Sequence, residues 1–105
     1  MRSRAALAAI VIALVPLVAR AQSAPTQRQI DDGHALARQM CMTCHVVSGA
    51  GTGSDAAPSF STIAATRGYD YVRNWLMKPH GNMAPVDLTN GQMDALALYI
   101  ESLRK

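Results

Sequence analysis

The stretch ARQMCMTCHVVSG, residues 37–49, contains both cysteines of this 105-residue chain, Cys41 and Cys44, with His45 directly behind them. A disulfide between the thiols would close a very small loop and leave His45 without a role. A thioredoxin-like redox pair requires a strand–helix–strand context, which the sequence lacks. A zinc site requires four ligands; His34 or His80 could complete one, but no second paired-ligand motif occurs. None of these three chemistries accounts for the whole pattern.

The five residues from Cys41 to His45 match the pattern of covalent haem attachment. Two thiols at this spacing can form thioethers with the two vinyl groups on one edge of a porphyrin, and the next residue then lies under the iron. We therefore predict one covalent haem c, attached through Cys41 and Cys44, with His45 as the proximal iron ligand. A large apolar insert also suits a chain with only one Phe, one Trp and three Tyr residues to fill its core.

The N-terminal residues have the features of a secretory signal. Two arginines precede an apolar run over residues 5–19, which leads into an Ala-x-Ala cleavage pattern and then a polar stretch. The run is shorter than the roughly 20 residues that a membrane-spanning helix needs, which favours cleavage over the alternative of an uncleaved anchor. We predict a signal peptide over residues 1–21, one monohaem domain over residues 22–105 and a periplasmic location.

Removal of the signal changes the charge of the protein. Three of the ten Lys and Arg residues precede residue 22, and the seven that remain are balanced by seven Asp and Glu residues. The mature domain is therefore close to neutral at pH 7, and it has no basic patch interleaved with aromatic residues. Nucleic-acid binding is not expected.

Hydrophobic periodicity and capping residues predict an all-α domain with three to five helices and long loops. The first helix covers residues 25–40 and the last covers residues 88–105, and each begins with a Thr-x-x-Gln capping box. A further helix is predicted over residues 69–78, a short helix or a pair of turns over 59–68, and loops over 48–58 and 79–87. The last helix carries one apolar stripe, formed by Met93, Leu96, Ala97, Ile100 and Leu103.

The second axial ligand decides whether a haem iron transfers electrons or binds small molecules. Met83 is the preferred candidate, because it lies in a loop between Pro79 and Pro85 where no helix face requires a thioether for packing. His80 is the alternative, although a lone histidine in such a loop is more often a solvated surface group. The other candidates flank the motif or fit packing positions: Met40, Met42, Met77, Met93 and His34.

The order of these features resembles that of the class I bacterial cytochromes c, small monohaem proteins with the cytochrome c fold. The resemblance extends over the mature sequence: a helix ending in Cys-x-x-Cys-His, a Pro-x-Phe segment, a Trp-bearing helix, a Met loop and a C-terminal amphipathic helix. It implies that Met83 is the distal ligand, although the usual Met-Pro is Met-Ala-Pro here. It also implies that the Pro58 carbonyl accepts a hydrogen bond from the ligand imidazole and that the Trp75 indole reaches a haem propionate. Both residues are thus expected to contact the haem.

The same resemblance implies the arrangement of the terminal helices and the function. Gly33 is expected where these helices cross, opposite Leu96 and Tyr99. The expected function is that of a periplasmic one-electron carrier with His45 and Met83 as metal ligands, no catalytic residue and no enzyme activity. Expected partners are redox proteins: a periplasmic dehydrogenase, a membrane cytochrome complex or a terminal oxidase. The alternative is a haem electron-transfer subunit of a periplasmic dehydrogenase or oxidase complex.

Overall fold

The computed structural model describes residues 10–14, 24–49, 53–54, 56–78 and 81–105. Most of the expected signal peptide, its cleavage position and His80 lie outside these ranges. Within them, no helix is long and apolar enough to cross a membrane.

Four α-helices and one pair of very short strands make up the secondary structure of the described residues. In chain order they are α1 (Gln27–Met40), β1 (Gly53–Ser54), β2 (Ala57–Pro58), α2 (Phe60–Thr66), α3 (Tyr69–Met77) and α4 (Asn90–Ser102). The strands pair antiparallel, with Gly53 opposite Pro58 and Ser54 opposite Ala57. The all-α prediction is confirmed. The predicted loop over residues 48–58 nevertheless contains this two-residue ladder, which is too short to leave an alternating pattern in the sequence.

Side-chain caps begin three of the helices. At α1, the Gln29 N–H donates to Thr26 Oγ1 at 3.3 Å, and the Thr26 N–H donates to Gln29 Oε1 at 2.9 Å. Thr89 and Gln92 form the same reciprocal pair at α4, so both predicted capping boxes are present. The segment that could have been a helix or two turns is the helix α2, whose N-cap is the fully buried Ser59.

The two terminal helices, α1 and α4, cross in close contact at Gly33. A methyl group added at Gly33 would overlap the Ala95 carbonyl oxygen and lie 2.6 Å from the Ala95 carbonyl carbon and 2.8 Å from Tyr99 Cβ. Only glycine allows the backbones to approach this closely. The predicted crossing is confirmed with one change of residue: Ala95 and Tyr99 face Gly33, whereas Leu96 points into the core and toward the central cavity.

The core lies between α4 and the other helices, and the predicted stripe on α4 forms its centre. Leu96, Ala97 and Ile100 are almost completely buried, Met93 is buried beside them, and Leu103 is half-buried. The residues that pack around this stripe are mostly small or aliphatic: Ala37, Val47, Phe60, Ala64, Val72 and Leu76. With one Phe and few other large side chains in this set, the core is thin for its size.

A polar contact joins α3 to α4 outside the core. Asp94 Oδ1 accepts hydrogen bonds from Arg73 Nε at 2.5 Å and from the Tyr69 hydroxyl at 3.0 Å. The bond from Arg73 is the main reason why the pKa of Asp94 lies below its usual range, and the bond from Tyr69 acts in the same direction. This partly exposed cluster joins α3 to α4.

Candidate functional site

A cavity of about 840 Å³ opens between α2, α3, α4 and the turn that follows α1. Its volume lies in the upper part of the range of roughly 300–1,000 Å³ that is usual for ligand sites. Its walls are largely apolar, with Phe60, Ile63, Leu96 and Ile100 among the lining residues. The structure brings every residue that the sequence predicted for the site to this one cavity: Cys41, Cys44, His45, Pro58, Trp75 and Met83.

The cysteine motif forms a turn that continues from the end of α1. The Cys41 N–H donates to the Ala37 carbonyl at 2.8 Å, and the Cys41 carbonyl accepts from the N–H groups of Cys44 at 3.2 Å and His45 at 2.9 Å. Cys41 is buried and Cys44 is exposed, and burial raises the pKa of the Cys41 thiol. The turn therefore presents both sulfur-bearing residues and the imidazole to the same cavity. Among the described residues, no three His, Cys, Asp or Glu side chains converge as zinc ligands would.

The imidazole of His45 is held by a hydrogen bond across the site. His45 Nδ1 lies 2.6 Å from the carbonyl oxygen of Pro58, which ends β2. A carbonyl can only accept, so Nδ1 carries the proton and Nε2 keeps its lone pair available for a metal. The ring of Phe60 packs beside the imidazole, with the ring centroids 5.2 Å apart. The expectation that Pro58 orients this histidine thus has a direct counterpart in the structure.

Met83 reaches the cavity from the segment between α3 and α4. The side chain is half-buried and packs against the core, and its neighbours Ala84 and Pro85 line the same cavity. Two residues before Met83, Gly81 has a φ of +66°, a left-handed conformation that glycine adopts without strain. His80, the alternative ligand, lies outside the described residues.

The other methionines occupy different environments. Met93 is buried in the core, Met42 is exposed between the two cysteines, and Met77 accepts a hydrogen bond on its sulfur from Arg73 Nη1 at 3.5 Å. Met40 does line the cavity, but it is the last residue of α1 and therefore lies on the side of the cysteine turn. Of the methionines that the structure describes, Met83 is the one that approaches the cavity from outside this turn.

A row of cationic and aromatic side chains follows one side of the cavity. The rings of Tyr71 and Trp75 stack with centroids 6.1 Å apart, and the guanidinium carbon of Arg67 lies 4.4 Å from the Tyr71 ring centroid. All three residues line the cavity. Trp75 was expected here, whereas Arg67 and Tyr71 were missed. Tyr71 lies four residues before Trp75 in α3, and this helical spacing was the signal that could have found it. Arg67 is the C-cap of α2 and has an extended backbone, so helical spacing gave no signal for it.

These features fit a covalently attached, largely apolar macrocycle. The cavity has the required size and polarity, two cysteines reach it from one turn, and an imidazole with a free nitrogen faces it. Fold and site together define a small all-α protein with one covalent haem.

Comparisons with known proteins agree with this class. Residues 30–104 match the cytochrome c family. The chain is also 32% identical over 96 residues to cytochrome c-552 of Bradyrhizobium diazoefficiens, an alignment that covers 89% of this chain and 92% of that protein. No solved structure gives a significant match. The chain belongs to the cytochrome c family; it carries haem c through Cys41 and Cys44, and its function is haem-based electron transfer.

Proposed function

We propose that this cytochrome is a periplasmic one-electron carrier whose haem iron is ligated by His45 and Met83. The observation that supports this ligand pair is their placement on one cavity: His45 comes from the cysteine turn, and Met83 comes from the segment after α3. His45 offers Nε2 because Nδ1 is bonded to the Pro58 carbonyl. Met83 offers a thioether that is half-buried and not needed to fill the centre of the core.

When bound, the haem supplies an iron that gains and loses a single electron. The residues around it set how readily this happens. The hydrogen bond from His45 to the Pro58 carbonyl increases the basicity of the imidazole and fixes its orientation. A thioether ligand favours the reduced state, and apolar walls that include Phe60 and Leu96 disfavour additional positive charge. With His45 and Met83 as its ligands, the iron would therefore have a higher reduction potential than with two histidines.

Arg67 and Trp75 provide polar groups on an otherwise apolar cavity. The guanidinium of Arg67 bears a positive charge, and the indole N–H of Trp75 can donate a hydrogen bond. Haem carries two propionates, and these two side chains would bind such carboxylates. The stacking of Tyr71 between them restricts both side chains.

The surface next to the attachment site suits brief contacts with redox proteins. Cys44 is exposed, and Met40 and Met42, which flank the first cysteine, are 42% and 60% exposed. An electron would leave through this edge of the site, where a partner can approach. Small interfaces of this kind allow rapid dissociation. The basic and apolar signal-like pattern over residues 1–21 supports the periplasmic location.

Spectroscopy of the Met83→Ala variant tests the ligand assignment. The wild-type ferric protein should show the Met–iron charge-transfer band at the red end of its spectrum, and the variant should lose it. Met77→Ala is the matched control, because Met77 is exposed and does not line the cavity. Persistence of the band without Met83 would eliminate Met83 as the ligand.

Mass spectrometry of the exported protein tests the remaining parts of the proposal. It should show one covalent haem and an N-terminus at residue 22. Wild-type ferrous protein should bind carbon monoxide poorly, because both axial positions are filled. Stable co-purification with a dehydrogenase or oxidase would instead favour a subunit of a complex.

A further inference from the structure

The backbone that follows His45 is held from two directions. We call residues 45–47 the proximal segment. The Phe60 N–H donates to the Val46 carbonyl at 2.9 Å, and the Tyr99 hydroxyl donates to the carbonyl of Val47. Val47 and Tyr99 are each only 5% exposed, so this second bond is shielded from water. Two consecutive carbonyls after the imidazole are thereby fixed by α2 and by α4.

The ring of Tyr99 is itself tightly constrained. The imidazole of His34 stacks on it, with centroids 4.7 Å apart and planes 14° apart. Phe60 packs against it at 6.4 Å and 58°. Its Cβ lies at the contact with Gly33, where α1 and α4 are closest. The direction of the hydroxyl is therefore set by the crossing of the terminal helices.

The bond from Tyr99 connects this crossing to the imidazole through a short path. Val47 is two residues from His45, and the imidazole is bonded through Nδ1 to Pro58. Pro58 is in turn two residues from Phe60, whose N–H holds Val46. A shift of the proximal segment would thus change the geometry of the Nδ1–carbonyl bond. Within the described part of the chain, Tyr99 is the α4 side chain that hydrogen-bonds this segment.

We propose that Tyr99 is a positioning residue for the proximal imidazole: through Val47 it holds the proximal segment so that His45 Nδ1 stays bonded to the Pro58 carbonyl. This inference rests on the proposed function, because it takes His45 to be the iron ligand. Removing the hydroxyl leaves a buried carbonyl without its donor, which is unfavourable. Without this donor the proximal segment shifts so that the Val47 carbonyl can bond to another donor or to water. The hydrogen bond from His45 Nδ1 to the Pro58 carbonyl then weakens. A weaker bond makes the imidazole a poorer electron donor, so the reduction potential should rise.

The experiment compares Tyr99→Phe with Tyr69→Phe in the holoprotein. Each change removes one tyrosine hydroxyl that links α4 to another part of the fold, since the Tyr69 hydroxyl donates to Asp94 at 3.0 Å. Of these two hydroxyls, the one that donates to the proximal segment is that of Tyr99. In Tyr99→Phe, NMR should show the His45 Nδ1 proton exchanging with solvent about tenfold faster, and the potential should move to more positive values. Tyr69→Phe should match wild type in both measurements.

Incorporation of 3-fluorotyrosine at position 99 provides a second test, including the case in which Tyr99→Phe fails to hold haem. This residue keeps the shape of tyrosine and has a more acidic hydroxyl, so it should donate more strongly. Exchange of the Nδ1 proton should be slower than in wild type, and the potential should shift to less positive values. Unchanged exchange and potential in both Tyr99 variants would overturn the positioning role.

The wild-type spectrum separates the two levels of inference. Hyperfine-shifted ring resonances of His45 show that it is the iron ligand. If they are absent, the proposed ligand pair fails, and the role of Tyr99 fails with it. If they are present while the Tyr99 variants behave as wild type, only the positioning role is wrong.

Discussion

Replacement of Gly33 by alanine tests the helix crossing on which the rest of the fold depends. The added methyl group would overlap the Ala95 carbonyl oxygen and lie 2.8 Å from Tyr99 Cβ. The closest obstacle is backbone, which cannot move aside as a flexible side chain would. The crossing helices α1 and α4 would have to separate, and Tyr99 would move with them.

Two opposing terms set the size of the effect. Alanine is favoured over glycine in a helix interior by about 1 kcal/mol. Overpacking costs about 1–3 kcal/mol, and the upper end applies here because the overlap is with a carbonyl group. The net expectation is a loss of about 2 kcal/mol from the free energy of unfolding. For a domain of this size that corresponds to a fall in Tm of roughly 8–16 °C.

Urea and thermal unfolding of the ferric holoprotein, followed by circular dichroism, would measure this loss. Gly91→Ala is the matched control. Gly91 lies in the first turn of α4, and a methyl group there would meet nothing within 4 Å. It should leave stability unchanged or raise it by up to about 1 kcal/mol. If Gly33→Ala were as stable as Gly91→Ala, the close approach at the crossing would be refuted.

Three further predictions concern the core, a cap and a surface contact. The double replacement Cys41→Ala, Cys44→Ala should give apoprotein that has lost most of its helical circular dichroism, because the core is thin without haem; a native-like spectrum would contradict this. Ser59→Ala should cost about 1 kcal/mol in urea unfolding, because Ser59 is the buried N-cap of α2, and an unchanged midpoint would argue against the cap. Asp94→Asn should destabilise the protein at pH 7, where the carboxylate bonded to Arg73 is ionised. The pKa of Asp94 is lowered in the fold, so its contribution is lost as pH falls from about 4 through that lower pKa, and the variant should approach wild type in acid.

Local patterns were sufficient for much of the site. The Cys-x-x-Cys-His pattern identified the attachment residues, because thioether spacing is a short-range geometric requirement. Both Thr-x-x-Gln boxes formed as predicted, because a cap involves residues three positions apart. The stripe on the last helix became the centre of the core for a similar reason, since helical periodicity alone decides which residues share a face.

Contacts between distant parts of the chain followed no such pattern. Arg67, the C-cap of α2, lines the cavity only because of how α2 and α3 meet. The two-residue ladder around residues 53–58 and the bond from Tyr99 to Val47 likewise depend on how the elements meet.

The sequence by itself determined the chemistry of this cytochrome: which cofactor it attaches, through which cysteines, and on what kind of helical framework. Tertiary structure alone decided which residue of α4 lies closest to Gly33 and what holds the backbone behind His45. The physical reason is the separation along the sequence of the residues that interact. Attachment and capping are satisfied within a few residues, whereas packing depends on how helices far apart in sequence rotate and approach one another.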